Sequence, residues 1–195
     1  WLDNLHDLKK RSTWHEKYRL KHNRFWTNEE HADGGKTLLS LIQQDKLKNI
    51  LERLLNEDEF LSPGGIRALS KYHKKNPYTV AIDNVDYNIQ YDPGDSTSNF
   101  FGGNSNWRGP VWIPINYILI QSIRRYGEFY GDGLLVECPV GSGNKMNLKQ
   151  VADELTHRVV SLFTKDEMQN RPLHGKYNSF YAKPGNEHLV LFYEY

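Results

Sequence analysis

The pattern of apolar residues predicts an all-α chain of helical hairpins joined by long loops, with one small β-hairpin. Three observations carry that prediction. Leu47, Ile50, Leu51, Leu54 and Leu55 fall at i, i+3, i+4, i+7 and i+8, the buried stripe of a surface helix. Val151, Leu155, Val159 and Leu162 repeat the stripe behind a sequence-level capping box, Asn147 with Gln150 three residues on. Only "YTVAIDNVDYNIQYDP" alternates with period two instead.

Taken in order, "WLDNLHDLKK" reads as a short amphipathic helix with Trp1, Leu5 and Leu8 on one face. From Arg11 to Gly35 the pattern dissolves into a basic, aromatic stretch without periodicity. Asp45 is placed to cap the Leu47–Leu55 helix. In "LSPGGIRALSKYH", Ser62 as cap and Pro63 at the first helical position predict another short helix. In the alternating segment Val85, Tyr87, Ile89 and Tyr91 share a face, and Asp83-Asn84 predicts the hairpin turn. Pro110 is expected to open a long helix through Arg125, with Pro114 in or just after its first turn and Gly127 as its stop.

The totals exclude several function classes. Lys and Arg number 25 against 24 Asp and Glu, so the chain carries no global field for an anionic polymer or membrane. One cysteine, Cys138, leaves no internal disulfide and points to a reducing, cytoplasmic setting. The most apolar run, "VWIPINYILI", is too short to span a bilayer and contains Asn116. The chain opens on Trp1 and stops on "LFYEY", so it is expected to be a segment of a longer polypeptide.

Familiar chemical motifs fail on inspection. "GGKT" at 34–37 would need a glycine where Glu30 stands to be a P-loop, and "GSGNKM" ends on Met146 where a dinucleotide loop wants glycine. "GNSNW" around Ser105 lacks the closing glycine of a nucleophile elbow, which is Trp107. No His or Cys spacing suits zinc, and no metal site or cofactor is assigned; scattered aspartates such as Asp92 and Asp95 give no recognisable calcium cage and leave calcium binding open. Lys9 to Trp26 holds seven Lys and Arg interleaved with Trp14, Tyr18, Phe25 and Trp26, a mix able to contact phosphates and stack on bases. Glu29, Glu30 and Asp33 follow at once, and a solvated loop is the preferred reading over nucleic acid.

What remains is "FFGGNSNWRGPVW". A sugar needs an aromatic plane against its C–H face and planar hydrogen-bonding groups at its hydroxyl edge. Trp107 and Arg108 supply these side by side, Asn104 and Asn106 add donors and acceptors, and Gly109 admits close backbone. Trp112 reads either as part of that surface or as core. Arg108 reads as a sugar contact or as half of a buried ion pair with an acid such as Asp95. Glu194, among Phe192, Tyr193 and Tyr195, is a rim residue or an acid–base group.

"DEFLSPGGIRALSKYH", "YDPGDSTSNFFGGNSNWRGPVWIPINY", "YGDGLLVECPVGSGNKMNLKQVADEL" and "LFYEY" resemble successive blocks of glycoside hydrolase family 63. The nearest likeness is to a cytosolic glucosidase-like branch of fungi and bacteria, over Trp1 to Leu8 and Leu38 to Tyr195. The resemblance implies an (α/α)6 toroid of paired helices, of which residues 1–195 would be the C-terminal half of the catalytic domain. It implies inverting hydrolysis of an α-glucosidic or related α-glycosidic bond. Glu194 would be the general base, Trp107 and Arg108 would line the sugar site, and Asn104, Asn106, Gly109 and Trp112 would lie in the same block. The partner would be an α-glucoside or small glycoside, with the oligomeric state open.

The departures are specific. Family members continue past the terminal motif, and their general acid is an aspartate in a first half that this sequence lacks. The Arg11–Gly35 stretch is longer than the usual connection, and "RPLHGKYNSFYAKPGNEH" matches poorly. A second reading is therefore a non-catalytic carbohydrate-binding or structural module derived from the same fold.

Overall fold

A computed structural model describes Lys10, Thr13, Trp14, Lys17 and residues 27–30, 37–94 and 107–190. Of the helix expected over residues 1–10 only Lys10 is described, and it is helical; Asn104, Asn106, Asp95 and Glu194 lie outside the described residues. The chain divides into two units, Trp1–Ile50 and Leu51–Tyr195.

In the first unit, β1 (Thr27–Glu30) pairs antiparallel with β2 (Thr37–Ser40), Thr27 opposite Ser40 and Glu30 opposite Thr37. Neither strand was expected, because four-residue strands are too short to show a period. Helix α1 (Gln44–Leu54) spans the boundary between the units. Of the predicted stripe, Leu47, Leu51 and Leu55 are buried and Leu54 is half-buried. Ile50 is exposed, and Asp45 sits inside the first turn rather than capping it.

The second unit corrects the all-α prediction. Among the described residues the chain is mixed α/β, with helices set among four two-stranded antiparallel sheets. An (α/α)6 toroid of helical hairpins does not describe it. Segments read as loops instead close on themselves as short ribbons, which need only a tight turn and a few cross-strand bonds. Leu61–Ser62 (β3) pairs with Gly65–Ile66 (β4), where the Ser62-Pro63 signature predicted a helix. Two consecutive glycines, Gly64 and Gly65, disfavour that helix by about 1 kcal/mol each. Gly65 takes a φ of +127°, in the region that favours glycine. Ser62 does accept from the backbone N–H of Gly64, but its hydroxyl donates back to the Gly65 carbonyl at 2.7 Å and locks a turn.

Tyr78–Ile82 (β5) and Val85–Ile89 (β6) form the expected hairpin, with Asp83 and Asn84 at φ 52° and 62°. The following helix, α2, is shifted from its expected limits and spans Ile113–Tyr130. Pro110 and Val111 are not helical because the Pro110 carbonyl accepts from the Ala68 N–H at 3.0 Å and Val111 bridges to Arg67. Pro114 therefore occupies the first turn, with Trp112 as the extended cap. Gly127 does not stop the helix. It lets α2 press against the start of the next one, since a Cβ there would lie 2.8 Å from the Lys149 backbone nitrogen. Gly131, at φ 52°, ends α2 instead.

Leu135–Glu137 (β7) pairs with Lys145–Asn147 (β8), and α3 (Leu148–Ser161) follows directly. Its predicted capping box is formed: Gln150 N–H donates to Asn147 Oδ1 at 3.0 Å, and Asn147 N–H to Gln150 Oε1 at 2.9 Å. Val151, Leu155 and Leu162 are buried, and Arg124 of α2 meets Asp153 of α3 at 2.8 Å. A kinked turn at Pro172–Tyr177 leads into α4 (Asn178–Tyr181), where the buried His174 stacks on Tyr181 at 3.8 Å. Burial, then the nearby Arg171 charge, hold the His174 imidazole below its ordinary pKa.

Candidate active site at the tryptophan–arginine turn

Residues Trp107 to Val111 form an irregular segment between β6 and α2, and its backbone is fixed from two sides. The Asp92 N–H donates to the Arg108 carbonyl at 2.7 Å, and the Ala68 N–H holds the Pro110 carbonyl. Gly109 is required twice over. Its φ is +128°, and a Cβ would come within 2.3 Å of the Tyr91 ring. Close backbone approach at Gly109 was expected, but toward a ligand; among the described residues it is Tyr91 that approaches.

The two neighbours in the turn point opposite ways. Trp107 is 51% exposed and its ring lies 4.2 Å from that of Trp112, tilted by 45°. Arg108 is 1% exposed, with its guanidinium 4.0 Å from the Asp92 carboxylate. An acid partner for Arg108 was one of the two open readings. Among the described residues the acid beside it is Asp92; Asp95, the example named from sequence, lies outside them. Gln90 donates to the same carboxylate at 3.2 and 3.3 Å. The buried charge is thus held near an opposite one, which lessens the desolvation cost of its burial.

Below the tryptophans is a cavity of about 200 Å³, lined chiefly by Trp107, Trp112, Phe60, Ile66, Leu119 and Arg67. Its lining is largely apolar, and its polar side chains are mostly committed. Arg67 donates to the carbonyls of Glu57 and Glu59, each at 3.2 Å, and to that of Leu61. Asn116 accepts from Ile66 N–H at 2.7 Å and donates to Ile66 O and Trp112 O, both at 2.9 Å. The Trp112 indole N–H is buried and finds no acceptor among the described residues.

Asn116 is the residue that sequence reasoning missed. It was noted only as a polar interruption of an apolar run. A buried asparagine inside a helix is a signal in itself, because its amide needs partners that its own helix does not supply. Here it ties the start of α2 to β4 and so sets the floor of the cavity.

Of the residues named from sequence, Trp107, Arg108, Gly109 and Trp112 are brought together; Asn104, Asn106 and Glu194 lie outside the described residues. Among the described residues no group of three or more His, Cys, Asp or Glu is placed to hold a metal. No helix among them is long and apolar enough to cross a membrane.

Comparison with known proteins gives the family. The profile of the glycosyl hydrolase family 63 C-terminal domain matches residues 36–168, a span that contains the whole Trp107–Trp112 turn and ends before Glu194. An uncharacterized protein of Saccharomyces cerevisiae is 47% identical over 164 residues, covering 83% of this chain and 15% of the relative. A probable mannosyl-oligosaccharide glucosidase of Schizosaccharomyces pombe is 30% identical over 89 residues, 44% of this chain and 8% of the relative. The chain therefore spans less than a fifth of the length of either relative. By the match over residues 36–168, the chain belongs to glycosyl hydrolase family 63.

Proposed function

We propose that the polypeptide carrying this segment is a glycoside hydrolase that cleaves an α-glucosidic or related α-glycosidic bond with inversion. The observation that carries the proposal is the pairing of a half-exposed Trp107 ring with Trp112 above a cavity, within the family-matched span. A ring presented in this way can lie against the C–H face of a pyranose. Arg108, enclosed behind the turn, acts in this reading by holding Trp107 and Asp92 in register. Gly109 makes the turn possible. Asn104 and Asn106 would contribute hydroxyl contacts from the same loop. The relative whose name includes a glucosidase activity supports a glucoside as the substrate class.

In this reading Glu194 removes a proton from water while a carboxylic acid elsewhere in the longer protein protonates the leaving oxygen. The two carboxyls of an inverting pair stand about 6.5–9.5 Å apart, leaving room for that water. The segment is thus one part of a catalytic domain in a cytoplasmic enzyme.

The test is Glu194→Gln in the full-length polypeptide. Turnover is expected to fall by about a thousandfold, the scale of general-base catalysis, with ligand affinity nearly unchanged. Trp107→Ala should instead weaken sugar binding by about tenfold or more, the loss of one stacking contact. Turnover unaffected by the glutamine would remove Glu194 from the mechanism, and binding unaffected by the alanine would remove Trp107 from the site.

A further inference from the structure

The β5–β6 ribbon has two chemically different faces. In its register Tyr78 lies opposite Ile89, Val80 opposite Tyr87 and Ile82 opposite Val85. Directly opposed residues project to the same side of an antiparallel pair, so all six share one face. The other face carries Thr79, Ala81, Asp86 and Asn88. Sequence alternation of this kind normally marks a ribbon with its apolar side buried. Yet Tyr78 is 58% exposed, Val80 38%, Ile82 53% and Val85 51%, while Tyr87 and Ile89 are half-buried. A lone two-stranded ribbon is marginal in water, and an apolar patch of this extent on a soluble protein usually marks a contact surface.

We propose that this face docks, within one polypeptide, on an apolar surface belonging to the part of the protein outside residues 1–195. The length of the relatives argues for that occupant over a second copy. The Saccharomyces cerevisiae protein aligns with 83% of this chain yet uses only 15% of its own length to do so. Most of such a protein lies outside this segment and is covalently tethered to it, so its effective concentration at the ribbon exceeds that of any free partner. The docking bears on the candidate site by a short route. Two residues beyond Ile89, Tyr91 lies against Gly109 in the tryptophan–arginine turn. A ribbon anchored by its apolar face would hold Tyr91, and with it the turn, in place. The proposal does not rest on the glycosidase reading.

Its test uses the full-length polypeptide with Val80→Cys and Ile82→Cys on the apolar face and Thr79→Cys on the other, each labelled by a thiol reagent and followed site by site by mass spectrometry. Cysteine is close in size to valine, and all three positions lie on an exposed ribbon, so folding is expected to be retained. Docking in cis predicts that the cysteines at 80 and 82 react at least about tenfold more slowly than the one at 79, at every protein concentration, in a monomer. Equal rates at the three positions would overturn the proposal. Protection that disappears on dilution, together with a dimer by light scattering, would also overturn it, by making a second copy the occupant.

Discussion

Two hairpins of the second unit were built by opposite means. The β3–β4 hairpin is buried, and a residue fifty positions away secures it: Asn116 exchanges hydrogen bonds with both backbone groups of Ile66. The β5–β6 hairpin is exposed and is secured by its own sequence, through period-two alternation and two positive-φ residues at Asp83 and Asn84. The first adds a distant clamp to its local Ser62 turn, whereas the code of the second is local throughout. A local code survives inspection of a sequence, whereas a tertiary clamp does not.

The same contrast explains what was legible across the molecule. The α3 helix was readable to its cap because Asn147 and Gln150 satisfy each other within four residues. The β5–β6 turn was readable for a similar reason. The Ser62-Pro63 helix was misread because its local signal is real but weak, and two glycines and a distant asparagine outweigh it. The start of α2 was misplaced because Pro110 and Val111 are held by Ala68 and Arg67, partners that no periodicity reveals. At the candidate site, the residue types of the Trp107–Gly109 turn were legible, but their division of labour was not. Whether a side chain faces out or in depends on what lies behind it: Tyr91 and Asp92 turn Arg108 inward and leave Trp107 half in solvent.

The comparison can be broken most severely at the clamp. Asn116→Leu keeps the side-chain volume but leaves the buried Ile66 N–H and two carbonyls without their partners. At about 1–3 kcal/mol for each buried group left unsatisfied, a loss of about 3 kcal/mol or more is expected in chemical denaturation. A loss under about 1 kcal/mol would mean that water replaces the clamp.

A smaller effect is expected where the two hairpin regions meet the turn. Gly109→Ala adds a Cβ against Tyr91 and forces an unfavourable φ, at a combined cost of about 2–3 kcal/mol. Pairing it with Tyr91→Ala should recover the steric part and leave the backbone part. Full additivity in that double-mutant cycle would show that Tyr91 does not crowd the position.

The smallest effect sharpens the other side. Asn84→Gly relieves the remaining strain of a positive-φ turn position and should stabilise the ribbon by about 0.5 kcal/mol. Slower amide exchange confined to Tyr78–Ile89, with no change elsewhere, is the expected readout. A global change would show that the ribbon's local code is coupled to the whole unit.

The central claim, that this turn serves an inverting glycosidase, is tested most directly by the stereochemistry of the product. Proton NMR during hydrolysis of an α-glucoside by the full-length polypeptide should show β-glucose appearing first and the α-anomer only later, by mutarotation. Initial release of α-glucose would contradict the account by requiring a retaining mechanism and a nucleophilic carboxylate in place of a general base.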